Sequence, residues 1–232
     1  MVMPANPLPS YARPGSFDVA QGRLARAPVP TRFVVSCCVV LLILAALPLY
    51  AQSSKPASQA TPEPGEIVGN FYRNVSFGFS CKVPYGWVDR TADMREASTD
   101  PAKAMVLLGV FERPPDANGE GVNSGVVIAA ESVATYPGLK SAAQYFGPLG
   151  EVTTAKGLTP TNEPYEFPVD GKPIVRRDFV KEFGGGASMH QSTLAWLAKG
   201  YVVSFTFIGS SDEEVMQLLE GLKFGKKPAV RK

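Results

Sequence analysis

Residues 173–224, PIVRRDFVKEFGGGASMHQSTLAWLAKGYVVSFTFIGSSDEEVMQLLEGLKF, decide the fold. They read as strand, glycine loop, strand, tight turn, strand and closing helix. Between Tyr201 and Ile208 the side chains alternate, with Tyr201, Val203, Phe205 and Phe207 on one face, as the period of two in a strand requires. Lys199-Gly200 before them is a two-residue turn signal. A turn there pairs Ala198 with Tyr201, Trp196 with Val203, Leu194 with Phe205 and Ser192 with Phe207. The apolar faces of the two strands then coincide.

The loop before that hairpin admits two registers. If Gly184 to Gly186 form the loop, Phe183 faces Ala187, and Asp178 lies opposite Ser192 and diagonal to His190. Ser, His and Asp then share a face, the residue set of a hydrolytic triad. If Ala187 joins the loop, Phe183 faces Ser188. Val175, Phe179 and Phe183 then line up with Leu194, Trp196 and Phe205, while Asp178 turns away from His190. One residue of slip reverses every side chain, and the apolar pattern favours the second register. That register also turns Arg177 and Lys181 towards the apolar side, where they would reach out at its edge.

Ser211-Asp212-Glu213-Glu214 fits a capping box and places three acidic residues in the first turn of a helix. Val215, Leu218, Leu219 and Leu222 make the apolar stripe that packs it on the sheet, with Gly221 or Gly225 ending it.

At 232 residues and 45% hydrophobic content, the chain holds one core plus appendages. The net charge of +2 comes from the N-terminal residues. Arg13, Arg23, Arg26 and Arg32 against Asp18 leave 19 basic and 20 acidic groups after Ala51. A net charge of −1 there provides no electrostatic basis for nucleic-acid binding.

Phe33 to Leu47 is an almost unbroken apolar run behind the arginine-bearing segment, and Ala51 is a small exit residue. This predicts an export signal cleaved after Ala51. The alternative is an uncleaved anchor, since residues 33–51 just span a bilayer core of about 30 Å. Residues 52–66, rich in Ser, Ala, Pro and Gln, read as a disordered linker, and 226–232 as a basic tail. Structure is expected over 67–225.

Within it, Phe77, Phe79, Cys81 and Val83 share a strand face, which makes Cys81 a small buried hydrophobe. Pro84-Tyr85-Gly86 is a turn that delivers Trp87 as a core or edge anchor. Residues 104–111 and 125–130 are apolar on both faces and call for cover on both sides. Lys140 to Phe146 reads as a short helix that Ser141 caps and Gly147-Pro148 stops, and Asp170-Gly171 as a hairpin turn. Together these predict an α+β domain, a curved antiparallel sheet with helices packed on both faces.

The runs Tyr72-Arg73-Asn74, Phe77-Gly78-Phe79-Ser80 and Val83-Pro84-Tyr85-Gly86-Trp87 resemble the opening of PsbP-like domains. Residues 200–207, the acid-capped helix and Leu222-Lys223-Phe224 resemble their close. The resemblance covers roughly residues 68–224 and implies an α-β-α sandwich without established enzymatic activity. Family members include extrinsic photosystem II proteins and bacterial envelope proteins.

The chemistry-bearing motifs are few. Cys37 and Cys38 lie in the apolar run, so Cys81 has no partner for an internal disulfide, and one histidine excludes a His-rich zinc or iron site. Gly184-Gly185-Gly186 lacks the Lys-Ser/Thr of a phosphate loop. Asp89, Asp93, Glu96 and Asp100 follow no EF-hand spacing and read as a solvated loop. No cofactor or metal is expected. Arg176, Arg177 and His190 are the candidate interaction residues. Arg176-Arg177-Asp178 reads first as cross-strand ion pairs, with a peptide carboxylate as the ligand that could use them.

Three readings follow from these features. The first is a non-catalytic exported envelope domain binding a protein or small ligand. The second is an exported hydrolase using Ser192, His190 and Asp178, and the third a structural component tethered by residues 33–51.

Overall fold

A computed structural model describes residues 61–98, 103–115 and 121–225. The predicted signal or anchor, the first part of the linker, Asp100 and the basic tail lie outside these residues. Among the described residues no helix is long and apolar enough to cross a membrane.

The fold is α+β, with two antiparallel sheets and three α-helices among the described residues. The larger sheet contains β4 (Val88–Asp89), β5 (Ala104–Phe111), β6 (Gly125–Ser132), β11 (Tyr201–Gly209), β10 (Ser188–Ala198), β9 (Val175–Glu182) and β7 (Thr159–Pro160), in that spatial order. β8 (Tyr165–Glu166) also pairs with β9. The smaller sheet runs β1 (Glu66–Val68), β2 (Phe71–Asn74), β3 (Phe79–Lys82) and β12 (Leu222–Phe224). The helices are α1 (Thr91–Glu96), α2 (Ala142–Ala155) and α3 (Asp212–Leu219).

β10 and β11 pair in the predicted register, Ala198 with Tyr201 through Ser192 with Phe207. Lys199 and Gly200 both have positive φ, 51° and 80°. That is the turn whose twist matches two right-twisted strands. Alanine at position 200 would hold this left-handed backbone at a cost of roughly 1–2 kcal/mol. Gly200→Ala is therefore expected to lower the denaturant midpoint of the domain while leaving the denaturant slope unchanged.

The alternation along β11 sorts the two sides of the large sheet. Val203, Phe205 and Phe207 join Ile128, Val110 and Leu194 in the main core. Tyr72, Phe79 and Cys81 of the small sheet and Val215 and Leu219 of α3 cover that face. On the opposite face Val202 and Ala195 pack with Tyr145 and Phe146 of α2. Glu131 ties α2 down there, accepting a hydrogen bond from Tyr145 Oη at 2.5 Å and another from Tyr136. Burial and the neighbouring carboxylate raise both phenols above their usual range.

α1 lies on this second face against Gly109, where a Cβ would sit 2.4 Å from Met94 Sδ. The register of β5 shifts between Val106 and Leu108, and Arg95 of α1 donates to the carbonyls of Val106 (2.7 Å) and Leu107 (3.1 Å) there. Helices thus cover both faces, as the patterning predicts. The small sheet and the return of β12 to β3 are additions from the structure.

The β9–β10 register corrects the sequence expectation. Ser188 pairs with Glu182 and Ser192 with Asp178, and Phe183 N donates to the Ala187 carbonyl at 2.8 Å. The loop is therefore the three glycines alone. Val175 and Phe179 do not join Leu194 and Phe205; they face the side covered by α2, which supplies the second apolar surface they need. Lys181 does reach out, to the Lys156 carbonyl at 2.9 Å just beyond α2.

Three smaller expectations also change. Gly147-Pro148 does not end α2, which continues to Ala155 because Leu149 and Thr153 still have a surface to pack on. The capping box at Ser211 is half formed. Ser211 Oγ accepts from Glu214 N, but the Glu214 carboxylate turns to Ser210 N (2.8 Å) and Ser210 Oγ (2.7 Å). Finally, the end of the expected linker is docked, with Asn74 Nδ2 donating to the Glu63 carbonyl at 3.2 Å and Tyr72 Oη to that of Pro64.

Candidate functional site

The three-glycine loop brings Ser192, His190 and Asp178 to one face of the sheet without making them a triad. A triad places the imidazole between the hydroxyl and the carboxylate. Here the Ser192 hydroxyl donates straight to Asp178. Arg176 Nε donates to the same carboxylate oxygen at 2.7 Å and Arg176 Nη2 to Ser192 Oγ at 2.9 Å. The second oxygen accepts from Asn162 Nδ2 (2.7 Å) and Tyr165 Oη (3.3 Å). His190 binds elsewhere, with Nε2 2.9 Å from Ser188 Oγ and Nδ1 2.8 Å from Asp212 Oδ1.

Arg176 is the core of a closed network. It is 8% exposed, stacks over Phe167 at 5.0 Å, and places Nη1 3.0 Å from Met216 Sδ of α3. Burial on its own would raise the pKa of Asp178. The hydrogen bonds from Ser192, Arg176 and Asn162, with the Arg176 charge, outweigh it and hold the carboxyl below its ordinary value. Every guanidinium nitrogen of Arg176 already has a contact, so this arginine holds strands together and offers no anion site. Arg177, on the other face, donates to the Asn162 carbonyl at 3.1 Å and lies 5.7 Å over Phe179. Cys81 is fully buried, and burial pushes its thiol up to about 12, which leaves no thiolate for nucleophilic chemistry.

Of the acidic residues near α1, Asp89 Oδ1 accepts from Thr91 N (2.8 Å) and Thr91 Oγ1 (2.5 Å), and Asp93 lies 3.9 Å from Arg90. These contacts fold the segment. Among the described residues no group of acidic, His and Cys side chains gathers as a metal site.

The concave surface lies elsewhere, around the turn that delivers Trp87. Val83 N donates to the Asn70 carbonyl at 2.8 Å and Trp87 N to that of Pro84 at 3.4 Å. Gly86 takes φ 81°, which closes the turn and throws Tyr85 outward. The Tyr85 ring is fully exposed at 102%. Two adjoining clefts flank it and share Asn70, Pro84, Tyr85 and Trp87 as walls. One, of about 390 Å³, reaches Ile67 and Asp89; the other, of about 520 Å³, reaches Lys82, Leu218 and Glu214. Both volumes fall within the range of ligand pockets, roughly 300–1,000 Å³. Ile67, Val83, Trp87, Val110 and Leu218 make the lining apolar, and Asn70, Lys82, Asp89 and Glu214 add polar and charged groups.

In the sequence this run reads as a turn and an anchor, with no mark of a groove beside it. The available signal was the tyrosine itself, a large aromatic at a turn tip where small polar residues are the rule.

No protein-family model matches the sequence, and no curated protein matches it significantly. Similar solved structures include cyanobacterial PsbP (CyanoP) from Synechocystis sp. PCC 6803, at 12% identity and a TM-score of 0.46, covering 69% of this chain and 98% of that one. LpqN of Mycobacterium tuberculosis, described as involved in cell envelope biogenesis, is similar at 16% identity and a TM-score of 0.36 over 64% and 83% of the two chains. The Saccharomyces cerevisiae Ran-binding protein Mog1p is similar at 11% identity and a TM-score of 0.40 over 68% and 96%. The first of these bears the name of the family that the Tyr72–Trp87 motifs resemble.

Proposed function

We propose that this chain is an exported envelope domain that binds a protein segment or small ligand in the groove around Tyr85 and Trp87. The observation that carries the reading is the fully exposed Tyr85 ring, fixed on a hydrogen-bonded turn between two adjoining clefts. A rigid aromatic held in water contributes nothing to the core and presents a large contact area at low entropic cost, as binding hot spots do. The export signal or anchor read from residues 33–51 supplies the envelope part of the proposal. The hydrolase built on Ser192, His190 and Asp178 is the weaker reading, since Arg176, Asn162 and Tyr165 occupy the Asp178 carboxylate and His190 is bonded to other partners.

The test compares wild type with Tyr85→Ala as baits for detergent-solubilised envelope fractions. Tyr85→Ala is expected to leave the melting temperature unchanged, because the ring packs on nothing, and to lose the molecules wild type retains. Equal retention by the two baits would show that the groove is not the binding site.

A further inference from the structure

Ser188, His190 and Asp212 form a hydrogen-bonded relay that the binding reading does not use. Ser188 and His190 are two apart on β10 and therefore project from the same face of the strand. Asp212 is the first residue of α3, placed beside them as the chain turns back from β11. The two ring nitrogens are differentiated by their partners. A carboxylate can only accept, so the Nδ1 bonded to Asp212 at 2.8 Å carries the proton. In the neutral ring Nε2 is then the acceptor, and the hydroxyl 2.9 Å away from it is Ser188. This is the tautomer a general base needs, with the carboxylate orienting the imidazole and the free nitrogen on the nucleophile.

Access is open on the loop side. Ser188 is half-buried, the His190 side chain keeps 24% of its surface exposed, and added Cβ atoms at Gly184, Gly185 and Gly186 beside them would meet nothing within 4 Å.

We propose that Ser188 is an acyl-accepting nucleophile, with His190 as its base and Asp212 as the positioning residue, acting on small unhindered esters. In the first step Ser188 Oγ bonds to the ester carbonyl carbon while His190 Nε2 takes the hydroxyl proton. Collapse of the adduct breaks the bond to the alcohol oxygen, which leaves with that proton. Water, giving a proton to His190, then attacks the acyl-serine and releases the acid, and His190 returns a proton to Ser188. Asp212 is 80% exposed, so it orients the ring more than it stabilises the imidazolium in water. The acceleration expected is that of a positioned base, about 10²–10⁴-fold.

The experiment treats the full-length folded protein with a fluorophosphonate and maps the adduct by peptide mass spectrometry, alongside release of nitrophenol from 4-nitrophenyl acetate. The expected adduct is at Ser188, formed at least about 100-fold faster than at Ser210 or Ser211, absent in Ser188→Ala and about 100-fold slower in His190→Ala. Asp212→Asn, which preserves the helix start, is expected to slow labelling while leaving the melting temperature near that of wild type. The wild-type result decides even if His190→Ala fails to fold. A protein that leaves Ser188 unmodified, or modifies it no faster than Ser210, overturns the proposal.

Discussion

Asp178→Ala is expected to destabilise the domain by about 3–5 kcal/mol, the cost of leaving one partner of a buried ion pair uncompensated. The side chains of Arg176 and Asp178 are 10% and 17% exposed, and removing the carboxylate strands the guanidinium between Phe167, Met216 and Ser192. For a domain of this size the loss corresponds to a drop in melting temperature on the order of 10 °C. Asp178→Asn keeps the shape and the Asn162 contact region but not the charge, and should fall between alanine and wild type. The pair also sets a pH dependence. The folded-state pKa of Asp178 is depressed, so its contribution to stability is fully present above the unfolded carboxylate value, near 4. It is lost as pH falls through the lower folded value. Wild type should therefore lose stability on acidification in a window that Asp178→Asn lacks. Denaturant titrations at several pH values between neutral and about 3 check this, and parallel curves for the two proteins would remove Asp178 from the account.

Phe205→Ala should cost a similar amount, about 3–5 kcal/mol, for a different reason. Phe205 is fully buried on the central strand β11 and meets Phe79 edge-to-face at 5.0 Å and Phe224 at 5.9 Å. It is the point where the large sheet, β3 and β12 converge, so the cavity opens where both sheets meet and has little room to collapse. Trp196 on the neighbouring strand is only half-buried, against Phe224 and below Lys172, and its truncation should cost less. Equilibrium unfolding of the two variants ranks them, and a larger effect at Trp196 would contradict the core described above.

Local periodicity was enough wherever one face of an element is wet or a turn is chemically distinctive. The β10–β11 hairpin was legible because Lys199-Gly200 is a two-residue turn and the aromatic faces of its strands coincide. The hairpin at Asp170-Gly171 was legible for the same reason, and Val169 and Lys172 do pair there. Cys81 was legible as core from its alternation with Phe77, Phe79 and Val83.

The β9–β10 register was not legible, because an apolar stripe on one strand does not say which of two covered faces it joins. Both faces are covered here, so the apolar side chains of β9 had two places to go. The side under α2 took them, while the side under α3 took Arg176 and Asp178 as a paired, hydrogen-bonded unit. A buried charge pair of that kind looks polar in sequence and behaves as core in the structure. The same blindness hid the groove and the Ser188–His190–Asp212 relay. Each joins residues from separated segments, Lys82 with Leu218 or His190 with Asp212, whose proximity depends on where α3 and the small sheet dock. The sequence by itself determined the long strands β5, β6, β9, β10 and β11, the two hairpin turns, the amphipathic α3 and the α+β class, all of which follow from contacts within a few residues. The tertiary structure decided the register, the second sheet and both candidate sites, because those depend on which surface each face finds to bury itself against.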